Sequence, residues 1–269
     1  MSIDQIFAIY AAVLGLVVGS YLNVVNYRLP RGLSTVRPRS RCPRCQRAIA
    51  PWDNIPVLSY LMLRGKCRDC GMPIHWRYPL LEIVTGVLFL LSYLAFGVSI
   101  DMAVAMGFCA SMVVLAVLDL EHRWLPDVVN LPLVALGLLV QLPSVFGTAW
   151  ISWVGWKDVL IGTIGGPLVL LALRQIWMLL RGVPGIGLGD VKMVAAFGAI
   201  LGWRGLVVAL AVASFTGTLV ALVAIARRRM HLGSSLPFGF FLALGGLVAL
   251  FLGSDLMSLY AGWVRELVP

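Results

Sequence analysis

Long apolar runs separated by short charged turns set the pattern of this chain. Residues 5–27, 83–100, 102–118, 128–156, 205–226 and 232–254 contain no Asp, Glu, Lys or Arg. Each is near or above the roughly 20 residues that a helix needs to cross a hydrocarbon core. Residues 159–180 carry one charge, Arg174, near an end where a long basic side chain can reach the interface. Residues 193–203 form a shorter apolar stretch between Lys192 and Arg204. The runs lack the polar face of a soluble amphipathic helix, and together they predict about eight transmembrane helices.

Composition agrees with that reading. With 60% hydrophobic and 12% charged residues, the chain has too little polar surface to cover a soluble globule of its length. The expected class is an all-α polytopic membrane protein. The first apolar run follows no basic stretch, is preceded by Asp4 and lacks a small-residue cleavage site, so it is expected to stay in the mature chain.

The net charge of +9 is informative through its placement. Eleven of the 21 Lys and Arg residues lie between Arg28 and Arg77, and Arg227, Arg228 and Arg229 form a second cluster. With eight crossings these fall on one side together with Arg123 and Arg181, while Lys157, Arg204 and Arg265 fall on the other. The positive-inside rule makes the basic side cytoplasmic and both termini external. The basic surface is then expected to face anionic membrane lipid rather than nucleic acid.

The one substantial polar piece, residues 28–78, is too short to build much of a core and calls for a staple. Two Cys-x-x-Cys pairs supply one, Cys42 with Cys45 and Cys67 with Cys70. That spacing lets four thiolates complete the tetrahedral coordination that structural Zn²⁺ accepts, as in a zinc ribbon. Two disulfides or four free thiols are the alternatives; a reducing compartment disfavours the first, and the paired spacing the second. Cys109, inside an apolar run, reads as packing, and His75 as a residue at the surface or behind the metal ligands.

Only 12 of the 269 residues are acidic, and two of them stand where apolar runs meet short polar turns. Asp119 ends residues 113–118, and Asp190 follows the glycine-rich stretch 182–189. An acid at a membrane edge is costly without a role or a partner. Loop charges alone place both at the same, cytoplasmic side. Asp119 also admits a simple role at a helix end or beside Arg123, and Asp190 one as an N-terminal cap. Asp127, after Pro126, reads as an acid complementing the start of the next helix. If Asp119 and Asp190 converge, one shared proton lets one act as base towards water and the other as acid towards a scissile carbonyl. No Ser/His/Asp set or His-Glu-x-x-His motif offers another route, and no Gly-Lys-Ser/Thr follows the glycines.

Nearly the whole chain resembles the bifunctional type IV prepilin peptidases, membrane aspartic proteases with a Gly-x-Gly-Asp turn. The likeness rests on Gly19-Ser20-Tyr21-Leu22-Asn23, Arg28-Leu29-Pro30, the two cysteine pairs, Asn54-Ile55-Pro56 and Arg77-Tyr78-Pro79 with Glu82. It continues through Asp119, Leu125-Pro126-Asp127, Gly187-Leu188-Gly189-Asp190 with Val191-Lys192, and Pro237-Phe238-Gly239. The resemblance implies that Asp119 and Asp190 are the proteolytic pair and that the loop holding Zn²⁺ serves methylation of the new N-terminal amine by S-adenosyl-L-methionine.

The implied partners are prepilins and type II secretion pseudopilins, each with a short basic leader ahead of an apolar helix. The implied location is the bacterial inner membrane, with the active site and zinc loop facing the cytoplasm. The organisation expected is a first transmembrane helix at 1–27, a four-cysteine zinc loop domain at 28–78 and a protease core at 79–269. Glu82 fits two readings, a holder of the acceptor amine and an interfacial acid paired with Arg77. The pocket for the methyl donor has no assigned residues. Residues 149–156 are longer than the connection usual in the resembled family. Two rival readings are a peptidase without methyl transfer and a proton-coupled transporter with a zinc docking loop. The second is disfavoured because the acids lie at one face and no inverted repeat is visible.

Overall fold

The computed structural model describes residues 2–148, 150–228 and 236–267. Ala149, Arg229 and the beginning of the 232–254 run lie outside them, as does the side chain of Arg265. The main elements of the described chain are all helices: α1 Ile3–Arg28, α2 Leu58–Met62, α3 Arg77–Phe96, α4 Ile100–His122, α5 Asp127–Val145, α6 Trp156–Arg181, α7 Leu188–Ala226 and α8 Phe238–Leu267. All but the short α2 are long and apolar enough to span a membrane. The expected class therefore holds.

Helix ends differ from the apolar runs where local chemistry outweighs hydropathy. The boundary between α3 and α4 falls at Gly97, with φ of 60°, and at Ser99, whose hydroxyl accepts the Met102 N–H. Asp101 does not mark it, because an acid is welcome in the first turn of a helix. The 128–156 run is one helix only as far as Val145. Beyond it the tryptophan-bearing connection folds back, with Gln141 Nε2 donating to the Val154 carbonyl and Trp153 Nε1 to that of Ile200.

The short apolar stretch 193–203, expected as an eighth span, is the first leg of a folded α7. A straight helix would hold Val194 and Leu206 about 18 Å apart, yet a Cβ on Gly166 of α6 would touch both. The chain reverses at Gly202, with φ of 66° and ψ of −179°, a conformation essentially confined to glycine. The two legs of α7 thus run past the same helix in opposite directions.

Two compact units divide the chain, Met1–Val114 and Leu115–Pro269. In the first, α1 buries Ala11, Gly15, Gly19, Leu22, Asn23 and Asn26 on one stripe and lies close against α3. A Cβ on Gly15 would stand 2.7 Å from the Gly86 Cα, and one on Gly19 2.7 Å from the Glu82 Cα. Small residues permit this approach where no hydrophobic drive exists between helices in lipid. Cys109 is fully buried beside Ser92, as a packing residue should be. In the second unit, Gly162 meets Gly198, Gly137 meets Ala199, and Gly245 meets Ala209, which bundles α5, α6, α7 and α8.

The reversal yields a prediction. Gly202→Ala adds a methyl 2.5 Å from Val154 Cγ2 and forces a disfavoured dihedral, a cost of about 1–3 kcal/mol. Gly165→Ala, which meets open space, should be near neutral. Thermal unfolding in detergent compares the two, and equal midpoints would show that Gly202 is no special hinge.

Candidate active site and metal centre

Asp119 stands in the last turn of α4 and is 5% exposed. Its Oδ2 accepts the Phe240 backbone N–H at 2.9 Å. The first N–H groups of a helix have no partner within it, so this carboxylate closes the start of α8. The approach requires Gly239, because a Cβ there would lie 2.9 Å from Asp119 Cγ and 2.8 Å from Leu125 Cδ1. Asp190 is the third residue of α7, and its Oδ2 accepts the N–H of the cap residue Gly187 at 3.2 Å. Asp119 is thus buried against the start of another helix, not exposed at the end of its own, and Asp190 stands three residues past the cap position that the sequence suggested for it. These contacts also fix where the acids point.

Leu125 joins the two acids. Its Cβ would be 2.9 Å from a Cβ on Gly189, and its methyl groups crowd Gly239 on the other side. One side chain thus seats the turn before Asp190 and the turn that holds Asp119. The carboxylates come within electrostatic reach of each other.

Two further contacts brace the site, and the sequence had not assigned either. Arg174, the lone charge of its apolar run, donates from its guanidinium to the Ile186 carbonyl, so it anchors the glycine-rich turn instead of reaching for the interface. A charge alone in an apolar helix was the signal. Lys192 Nζ meets both carboxylate oxygens of Asp127 at 2.7 Å. Asp127 opens α5 with Pro126 as the cap residue, so it serves the helix start as expected and binds Lys192 as well.

Trp124, Leu125, Pro126, Asp127, Gly189 and Lys192 line a pocket of about 480 Å³, roomy enough for a small ligand or a peptide side chain. A second pocket of about 320 Å³ lies between the 151–155 connection and Arg204, at the end of α6 remote from the glycine-rich turn.

In the first unit the sulfurs of Cys42, Cys45, Cys67 and Cys70 lie within 4.8 Å of one another, and none is in a disulfide. The two halves repeat one local fold. Cys42 N donates to Arg47 O and Gln46 N to Cys42 O, as Cys67 N does to Met72 O and Gly71 N to Cys67 O. Gln46 and Gly71 share a positive φ, 58° and 67°, and each half closes with an antiparallel bridge, Arg41 to Ala48 and Lys66 to Pro73. Arg47 pairs with Asp69 across the halves at 2.9 Å.

The thiols cannot all ionise alone. The Cys45 backbone N–H and its neighbours bring the Cys42 thiol down to about 7. Cys45 keeps a hydrogen bond from the Arg47 backbone, yet burial and the sulfurs of Cys42 and Cys70 push it up to about 11. Four converging sulfurs in this geometry suit a divalent cation with tetrahedral preference. Arg68 holds the Asp53 carboxyl below the usual carboxylate range by a hydrogen bond. His75 is exposed, stacks on Trp76 and accepts the Arg77 N–H, apart from the cysteines. Glu82 is 8% exposed and accepts the Val57 N–H at 2.7 Å, a partner that neither earlier reading had named.

Helix starts closed by two neighbouring aspartates, in an all-helical protein with apolar spans and a four-cysteine insert, are the features that the comparisons place in a family of membrane peptidases. The chain belongs to the type IV leader peptidase family: residues 106–222 match that family, and residues 13–96 match the bacterial peptidase A24 N-terminal domain. Similar curated proteins carry the name prepilin leader peptidase/N-methyltransferase. That of Burkholderia pseudomallei (strain 1026b) is 40% identical over 94% of this chain and 88% of its own. That of Neisseria gonorrhoeae is 36% identical over 98% and 96%, and that of Pseudomonas aeruginosa 34% over 94% and 93%. No solved structure matches.

Proposed function

We propose that this chain removes the leader from type IV prepilins and type II secretion pseudopilins and then methylates the new N-terminal amine. The convergence of Asp119 and Asp190 on Leu125, in a member of this family, carries the reading. In the cleavage step one carboxylate takes a proton from water as its oxygen attacks the scissile carbonyl carbon. The protonated partner donates to the carbonyl oxygen. Collapse of the tetrahedral centre breaks the C–N bond, and a proton passes to the leaving amine. Fixed backbone donors hold both acids in place, so little reorganisation is needed.

The 28–78 insert acts as a zinc domain, with Cys42, Cys45, Cys67 and Cys70 as ligands, and the membrane core from residue 79 carries the protease. Zn²⁺ supplies a fold, because four protein ligands leave no open position for chemistry. S-adenosyl-L-methionine supplies an electrophilic methyl group when bound. The clustering of Lys and Arg in the insert supports a cytoplasmic placement of the insert and of both acids, in the bacterial inner membrane. A substrate helix can then stay in lipid while its leader lies in the cytosol.

Asp119→Asn and Asp190→Asn should each abolish leader cleavage while the protein still inserts and unfolds cooperatively, since an amide neither activates water nor shares a proton. Asp127→Asn should lose about 1 kcal/mol of stability and retain cleavage. An active Asp119→Asn with a dead Asp127→Asn would misplace the first acid. For the metal, elemental analysis should find one Zn²⁺ per chain, lost with any single cysteine substitution. Two disulfides and no metal in fresh protein would refute both the site and its reducing compartment.

A further inference from the structure

Beneath the insert, the first unit buries a polar cluster that cleavage does not use. Asn23 and Asn26 lie on the same face of α1, only 3% and 1% exposed. The Asn23 amide spends its donors on Gly19 O and Tyr78 O, and its Oδ1 has no partner among the described residues. Neither the oxygen nor the nitrogen of the Asn26 amide has one. A buried polar group left so costs about 1–3 kcal/mol, and native proteins leave few.

The surroundings indicate what would satisfy them. Gly19, one turn before Asn23, sits against the Glu82 backbone, and Tyr78, which Asn23 binds, is one turn before Glu82. Glu82 takes a hydrogen bond from the Val57 N–H. Val57 is itself strained, with φ of 61° in a region that β-branched residues avoid, so its bond to Glu82 fixes an unfavourable backbone in place. Strain of this kind gathers at binding sites. The cluster therefore offers two idle amide oxygens and a carboxylate, with one idle amide donor. Among these three side chains acceptors outnumber donors and Glu82 carries their one formal charge; Arg77, next to Tyr78, also buries its Nε.

We propose that Asn23, Asn26 and Glu82 form a binding site for a primary ammonium group, whose three N–H donors match the three acceptors. The inference rests on the methyl-transfer half of the proposed function. That reaction brings two such groups, the N-terminal amine of the acceptor and the amino group of the methyl donor's methionine portion. The short, uncharged side chains of α1 accept hydrogen bonds without ionising, and Glu82 supplies the one charge that selects a cation.

The test uses the full-length protein in detergent, with Asn26→Leu and the milder Glu82→Gln. S-adenosylhomocysteine, which keeps the donor's amino group without the sulfonium, and a pre-cleaved pilin are each titrated calorimetrically. Methyl transfer to the pilin is followed alongside leader cleavage and the melting midpoint. At least a tenfold weakening is expected for one titrant in both variants, with methyl transfer falling at least tenfold more than cleavage. Weakening of S-adenosylhomocysteine assigns the donor's ammonium to the site, and weakening of pilin assigns the acceptor's. Unchanged binding of both titrants would overturn the inference. So would equal losses of both activities with a lowered melting midpoint, which mark a water-filled structural network. A wild-type protein that cleaves but never methylates would instead defeat the reading on which the inference rests.

Discussion

Backbone N–H groups at the start of a helix need acceptors, and in a membrane protein water is often absent to provide them. Here two of those starts take their acceptors from aspartates. Asp119 closes α8 through Phe240, and Asp190 closes α7 through Gly187. The requirement that helices begin properly therefore fixes the orientation of both acids. The proposed chemical role does not compete with the structural one, because a carboxylate has two oxygens and each aspartate spends only part of its capacity on a helix.

Glycines let the rest of the site assemble around this constraint. Gly189 and Gly239 admit Leu125 between them, so an apolar wedge sets the separation of two polar turns. Arg174 and the Lys192–Asp127 pair brace the same turns from further out. The exposed ion pair contributes little stability by itself; its value lies in geometry. On the first unit the same economy appears in the insert, where two copies of one knuckle bring four sulfurs together without any core to speak of.

Much of this was legible in the sequence. Apolar runs gave the spans because hydropathy is what the bilayer selects, and the cysteine spacing gave the cluster because a metal dictates ligand separation. Asp119 and Asp190 stood out as rare acids at run ends. Backbone geometry was harder to read. The charge of Arg204 divided 193–203 from 205–226 into two expected spans, but no local signal marked Gly202 as the residue at which the chain reverses. Within the uncharged 128–156 run the connection at 149–156 was read but the stop of α5 at Val145 was not, because an apolar connection has the composition of a helix. The links of Lys192 to Asp127, Arg174 to Ile186 and Glu82 to Val57 join residues distant in the chain, and no local pattern encodes them.

The pH dependence of leader cleavage tests the proton-sharing pair most directly. With purified full-length protein and an intact prepilin, kcat/KM measured across the acid and neutral range should give a bell, since activity needs one carboxylate charged and the other protonated. A profile that rises through a single ionisation to a flat plateau would mean that one carboxylate suffices, and would contradict the account.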